Sequence, residues 1–479
     1  MNQYLFLIRS VLNPQAMENV QLKVEPAVKD TEHNPLFTED KPWEVRIDNG
    51  YPNVIYDPLE KIYKCFYTLI IKDKDCWMVS REERASRDYN PRPDRITGFA
   101  YAESKDGIHW EKPNLHRVSW NGDSDNNLLF KYAHGTGVML DLHETDPKRR
   151  YKMVTKIDYP VEEQHMAVSY SSNGIDWEKP IPWPKYNPPA DSHNLPFWNE
   201  KENCYMLLSR IWRDGVRITT ISRSDDFLNW SKPQECIRGQ GFENQIYAMP
   251  AFKWGNCYIG LASMFHEGDR DAEDFDTVDL ELTYAEDPVK FDFAAVGQHV
   301  IERGKGKYPD GDFDCGCIYA SPAVISPEGD MWIYYMGGNG QHTNFRESSL
   351  GRAKWKKDKF AALTPRKHEK DSIIATSRMC VLGNMLEILA DRIDGIENAY
   401  LAVEVAPNWS EPAMEGFSFS DSKVTEDGDK LRVEFVGGHN LEELKGQKVV
   451  FKIRFKGYKL WAFSGDIKAA EHRLFEGLI

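Results

Sequence analysis

An all-β fold, a five-bladed β-propeller followed by a C-terminal β-sandwich, is the class that the sequence predicts. Three observations carry that reading. The segments "ESKDGIHWEKP" (103–113), "YSSNGIDWEKP" (170–180) and "SRSDDFLNWSKP" (222–233) repeat one another as a strand end, a polar turn, then Trp and Pro. Five apolar hairpins punctuate the first three quarters of the chain, and repeats at spacings of tens of residues signal modular architectures. Beyond residue 365 the pattern becomes a simple alternation of apolar and charged residues.

The hairpins are "NVIYDPLEKIYKCFYTLII", "GVMLDLHETDPKRRYKMVTKI", "NLPFWNEKENCYMLLSRIW", "AMPAFKWGNCYIGLASM" and "ASPAVISPEGDMWIYYMGG". Each is an apolar run, a polar turn, and a second run opening with Tyr or Trp. Near-continuous apolar runs bounded by turns suit strands covered on both faces. Five such hairpins with further strands predict five four-stranded blades over residues 36–365, stacked so that only short edges remain. Tandem β-sandwiches are the competing fold, but their strands would alternate more cleanly. Residues 1–35 read as an N-terminal arm. The charged stretch "TPRKHEKDS" reads as a linker, and residues 366–479 as the β-sandwich. In "KVVFKIRFKGYKLWAF", Val449, Phe451, Ile453 and Phe455 share one face and Lys452, Arg454 and Lys456 the other, as in a sheet with one wet side.

Composition narrows the functions. The chain has 479 residues, 14 of them Trp, and a formal net charge of −15. That charge argues against nucleic-acid binding, which needs clustered Lys and Arg to displace counterions. No apolar run reaches the length of a membrane span, and "MNQYLFLIRSVLNPQA" lacks the layout of a signal peptide, so a soluble protein is expected. The eight cysteines show no CxxC spacing. Cys315-Gly-Cys317 is too slight a motif for a metal site, and buried thiols are expected. The acidic run 267–281 lacks the spacing of an EF-hand loop and reads as solvated. No cofactor and no metal are expected.

The residues entering the innermost strands of a propeller point toward one opening. Asp48, Asp191 and Glu243 stand there in the first, third and fourth repeats, 14 or 15 residues before the aromatic of the second strand (Tyr63, Tyr205, Tyr258). Asp314 in the fifth and His134 in the second precede longer turns. One such acid alone is an ordinary turn carboxylate. Three in register would converge at a cost in repulsion that pushes their pKa values apart, and glycoside cleavage needs such a set of an acid and a base or nucleophile.

On these residues the chain resembles the five-bladed propeller glycosidase superfamily that includes glycoside hydrolase families 32, 68, 43 and 62. Its members carry Asp on the first blade, Asp on the third and Glu on the fourth, and family 32 enzymes append a C-terminal β-sandwich. The resemblance implies Asp48 as nucleophile or general base, Asp191 as transition-state stabiliser and Glu243 as general acid. The chain has Ile47-Asp48-Asn49-Gly50, Ala190-Asp191-Ser192 and Glu243-Asn244 where family 32 has Asn-Asp-Pro, Arg-Asp-Pro and Glu-Cys types. It is therefore read as a divergent family 32-like member rather than a fructosidase.

Asn49, His134, His193, Asn194, Asp314 and His342 are the candidate substrate contacts. Arg210 and Arg217 read as structural ion-pair partners, and Trp110, Trp177 and Trp230 as packing residues. The expected activity is hydrolysis of a terminal glycosidic bond, furanosides included, of an oligo- or polysaccharide. A non-catalytic carbohydrate-binding propeller and a glycoside phosphorylase are the alternatives.

Overall fold

The computed structural model describes residues 2–91, 93–158 and 164–470. They form an all-β protein in two compact units, one of residues 26–355 and one of residues 2–25 with 356–470. The one α-helix among the described residues is Arg81–Ala85. No helix there is long and apolar enough to cross a membrane.

In the larger unit the hairpins fall where the apolar runs lie. Asn53–Asp57 pairs with Ile62–Lys72, Ala133–Leu140 with Tyr151–Ile157, and Leu195–Asn199 with Cys204–Arg213, each antiparallel. In the fourth and fifth repeats the first run is split. Asn244–Ala248 and Ala251–Trp254 both pair with Cys257–His266, and Cys317–Ala320 and Val324–Ile325 both pair with Met331–Gly338. Pro250 and Pro322 fall in the gaps, where a residue without an N–H cannot continue a ladder.

A third and fourth strand complete each repeat. The first three repeats are separate sheets, whereas the fourth and fifth are continuous through one parallel pairing, Val278 with Cys317. The outermost strand of the fifth group, Val28–Lys29, comes from the start of the unit and pairs with Ser348–Trp355.

The repeated turns have one hydrogen-bonding plan. Ser104, Ser171 and Ser224 end the third strands, and the Ser104 and Ser171 Oγ atoms accept from Gly107 N and Gly174 N at 2.9 Å. Asp106, Asn173 and Asp226 each accept from two backbone N–H groups two and three residues on, an Asx turn. The Trp177 and Trp230 indoles donate back to Gly174 O and Phe227 O. Trp177 lies edge-on to Phe66, and Trp110 to Phe37 and Tyr334. These indoles are packing residues that close the turn.

Consecutive repeats are tied by one contact used twice. Tyr151 of the second repeat donates to Asp57 of the first at 2.5 Å, and Tyr205 of the third to Asp141 of the second at 2.7 Å. The aromatic that opens the second strand of the second and third repeats thus has a hydrogen-bonding task, satisfying a buried hydroxyl.

In the smaller unit Val449, Phe451, Ile453 and Phe455 are buried while Lys452, Arg454 and Lys456 are half-exposed, as the alternation predicts. The expected arm and linker are built differently. Asn2–Leu5 pairs with Tyr458–Ala469, and Val20–Val24 with Ala361–Pro365. Thr364 and Pro365 therefore end a strand, and the alternation Val20, Leu22, Val24 was a strand signal within the supposed arm.

Candidate active site

The segment 45–51 runs beside the strand Ile62–Lys72, with Arg46 and Ile70 exchanging backbone hydrogen bonds and Thr68 N donating to Gly50 O. Glu39 braces it from behind, accepting from Ile47 N at 2.7 Å and Ser348 N at 3.2 Å. Burial pushes the Glu39 carboxyl up to about 7 against those two bonds. Asp48 is presented at the front with its side chain 25% exposed. Its Oδ1 accepts from Arg346 Nη2 at 3.0 Å and Arg46 Nε at 3.2 Å. Burial would raise its pKa, but the charges of Arg346 and Arg46 outweigh it and hold Asp48 well below the usual carboxylate range.

Asp191 is the second carboxylate, with its side chain 32% exposed. Arg210, fully buried in the second strand of the same repeat, donates to its Oδ2, and His134 Nε2 lies 3.0 Å from its Oδ1. Here too desolvation is outweighed, first by Arg210 and then by His134, and Asp191 stays ionised far below its ordinary pKa. Two glycines allow the approach of His134. A Cβ on Gly135, at φ +55°, would meet Asp191 O at 2.3 Å, and one on Gly137 would meet Asn194 O at 1.8 Å. Only glycine lets the two backbones lie this close.

Aromatic rings form the floor between the two acids. Tyr51 touches His134, His193 and Tyr319, while Tyr247 touches Tyr319 and His342. Tyr319 Oη and His342 Nδ1 are 2.8 Å apart. Burial and then Arg346 hold the His342 pKa far down, so its imidazole is neutral. The Arg210 guanidinium lies over the Tyr247 ring at 4.1 Å, and Arg217 lies 4.8 Å from the Phe265 ring centre. Arg217 also donates to Glu267 at 2.6 Å and to Gln245 at 3.1 Å.

Glu243 stands at the rim. Alternation along Asn244–Ala248 puts Glu243, Gln245 and Tyr247 on one face, and the inner two touch Arg217 and Arg210. Glu243 itself is exposed and has no cation partner among the described residues, whereas Asp48, Asp191 and Glu267 each pair with an arginine. Glu267 follows the strand that pairs with Asn244–Ala248, and Glu267 N donates to Glu243 O. The sequence reading passed over it by treating 267–281 as a solvated loop. Asp276 and Asp279 of that run are also buried, Asp279 against His266 and Arg303 at 2.7 Å each.

Several expected substrate contacts have other tasks. Asp314 is buried, bound to Lys29 at 2.6 Å and Tyr335 at 2.9 Å, so a carboxylate expected at the mouth is a structural ion pair. Asn194 is buried and satisfied by Gly135 O, Asp191 O and Ser209 Oγ. Asn49 is buried between Arg346, at 2.5 Å, and Tyr51 Oη, at 2.6 Å. His193 is buried with Nε2 3.0 Å from Asn53 Oδ1, and desolvation brings it down to about 3, so it is neutral. His134 and His342 are partly covered.

Arg210 and Arg217 do form ion pairs, as expected, but with acids of the site. Arg210 reaches Asp191 from the second strand of the same repeat, 19 residues on. Among the described residues no group of three or more His, Cys, Asp or Glu side chains is set to hold a metal ion. The Cys315 and Cys317 thiols donate to Asn339 O and Gly340 O.

Beside the loop 339–345 opens a groove of about 1560 Å³, lined among others by Asp274, Arg303, Tyr308, Gln341, Asn344 and Phe345. Asp48, Asp191 and Glu243 do not line it. The loop is the shared wall, since Asn344 O accepts from Arg46 and His342 O from Arg346.

No protein-family model and no curated protein sequence matches the chain. Solved structures to which it is similar include a glycosyl hydrolase from Bacteroides ovatus, 14% identical over 69% of this chain and 93% of that one, with a TM-score of 0.45. A second is an N-acetylgalactosamine deacetylase from F. plautii in complex with blood group B trisaccharide, 13% identical over 70% and 96%, with a TM-score of 0.44. A third is an endo-1,4-beta-xylanase from Bacteroides thetaiotaomicron, 11% identical over 69% and 91%, with a TM-score of 0.39. These likenesses assign no chemistry to the chain.

Proposed function

We propose that the larger unit is a five-bladed β-propeller with a glycoside hydrolase site at one end of its channel, and the smaller unit a β-sandwich. The propeller reading is supported by the five strand groups, by the Tyr–Asp contact repeated between neighbouring groups, and by Val28–Lys29 completing the last group from the start of the unit.

The observation that carries the chemistry is the division of the acids. Asp48 and Asp191 are each held as anions by a buried arginine, whereas Glu243 stands exposed at the rim with no cation partner among the described residues. Cleavage needs a proton donor for the leaving oxygen and an anion at the anomeric carbon, with a positive charge developing on the ring between them. Glu243 is the donor. Asp48 acts at the anomeric carbon directly or through a water, and Asp191 stabilises the developing charge. The aromatic floor supplies a dry, preorganised face on which those charges act strongly.

The test is a screen of the protein against plant and microbial glycans, with products followed by proton NMR to read both sugar and anomer. Release of a sugar by the native protein, and none by Asp48→Asn, is the expected outcome. Glycan binding with no turnover by the native protein would favour the non-catalytic reading.

A further inference from the structure

Two guanidinium groups meet on one carboxylate of the site. Arg46 and Arg346 are both buried, with side chains 2% and 0% exposed, and both donate to the same oxygen of Asp48. Arg95 is a third cation whose pKa burial lowers but Asp48 and then Tyr89 raise further. The other carboxyl facing Arg46 is Glu39, which already accepts two backbone N–H groups. Asp158 also faces Arg95. Asp276 likewise faces Arg346, and both guanidinium groups depend on the one Asp48 oxygen for their carboxylate hydrogen bond.

Donors are left unmet on these arginines. Arg46 Nη1 and Arg346 Nε are buried without a hydrogen-bond partner among the described residues, as are Arg210 Nε beside Asp191 and Arg217 Nε beside Glu267. Buried polar atoms of native proteins are overwhelmingly paired, so several orphans at one site point to a missing acceptor. The chain as a whole is strongly acidic, at −15, so this cationic centre runs against its general charge.

We infer that the site binds an oxyanion through the arginines around Asp48, and that in the glycosidase reading this is an acidic group carried by the sugar, such as the carboxylate of a uronic acid. Arg46 Nη1 and Arg346 Nε are guanidinium donors of the kind that bind a carboxylate or phosphate oxygen. A second source of the same chemistry is free inorganic phosphate. The oxyanion itself does not depend on the hydrolase reading, but its attachment to a sugar does.

Binding by the whole protein, measured by calorimetry without any need for turnover, tests this. The probes are digalacturonate, its methyl ester and inorganic phosphate, each at low and high salt. The acid should bind at least about tenfold tighter than its neutral ester, and the difference should shrink with salt. Arg95→Gln, at a half-exposed position, should reduce the preference for the acid. Arg46→Lys, which keeps the charge but loses the fork, should reduce it too. Preferential binding of phosphate, with no preference between acid and ester, supports the oxyanion site and assigns it to free phosphate. Equal, salt-independent binding of acid and ester together with no binding of phosphate overturns the inference. The two readings fail separately. Acid-selective binding without turnover of any glycan leaves the oxyanion site standing and removes the hydrolase, whereas turnover of neutral glycans with no anion preference does the reverse.

Discussion

Arg346 donates from Nη2 to Asp48 Oδ1 at 3.0 Å across 298 residues of chain. The contact joins the loop after the fifth hairpin to the segment before the first, at the position where the proposed reaction takes place. Its donor side chain is fully buried while its acceptor is partly open to solvent. The arginine holds the carboxylate ionised and in place, and the carboxylate keeps one face for substrate.

Removing the partner of a buried charge is costly. Arg346→Met leaves Asp48 with Arg46 alone and buried Asn49 Oδ1 without its donor, and should destabilise the larger unit by about 1–3 kcal/mol. Denaturant unfolding followed by tryptophan fluorescence measures it. A change below about 1 kcal/mol would show that the pair carries little.

The two aspartates set an acid-side dependence. Both have pKa values lowered by the fold, so their stabilisation is full above the unfolded carboxylate value, near ~4, and is lost as pH falls through the folded values. The stability gap between the native protein and Asp191→Asn should be constant above about pH 5 and narrow progressively below about pH 4. Unfolding midpoints across that range give the answer.

Glu39 acts in the opposite sense. Its folded value is raised to about 7 from 4.5, so its contribution is full below 4.5 and is lost as pH rises through 7. Glu39→Gln should therefore gain stability relative to the native protein between pH 4.5 and 7 and hold that gain above it. A gap that does not change with pH would mean that the Glu39 carboxyl titrates normally.

How much of this was legible follows from where each partner lies. Asp48, Asp191 and Glu243 stand out because repeats put corresponding residues at one offset, and each precedes the first strand of its group. Their partners sit on other strands. Arg210 had a signal, since an arginine inside the apolar run "CYMLLSRIW" must find a carboxylate when the strand is buried. Arg46 had a weaker one, two residues before Asp48. Glu267 is seen only once the pairing of 244–248 with 257–266 is known. Asp314 misled because a carboxylate placed before the first strand of a repeat can equally bind Lys29, whose strand returns from the start of the unit.

That distinction is testable. Asp314→Asn should lower stability through the orphaned Lys29 while leaving kcat/KM of the folded fraction within about twofold, because the residue touches neither Asp48 nor Asp191. A loss of activity at full stability would return Asp314 to the site.

The central claim is the division of labour between Asp48 and Glu243, and one comparison tests it most directly. With the sugar identified by the screen, kcat is measured for the native protein, Asp48→Asn and Glu243→Gln on the natural glycan and on the matching aryl glycoside, whose leaving group needs no proton. Asp48→Asn should lose roughly a thousandfold or more on both substrates, since truncating a group that acts at the reacting carbon removes several kcal/mol of barrier lowering. Glu243→Gln should lose about a hundredfold or more on the glycan and far less on the aryl glycoside. Equal, full activity of both variants on both substrates would contradict the account.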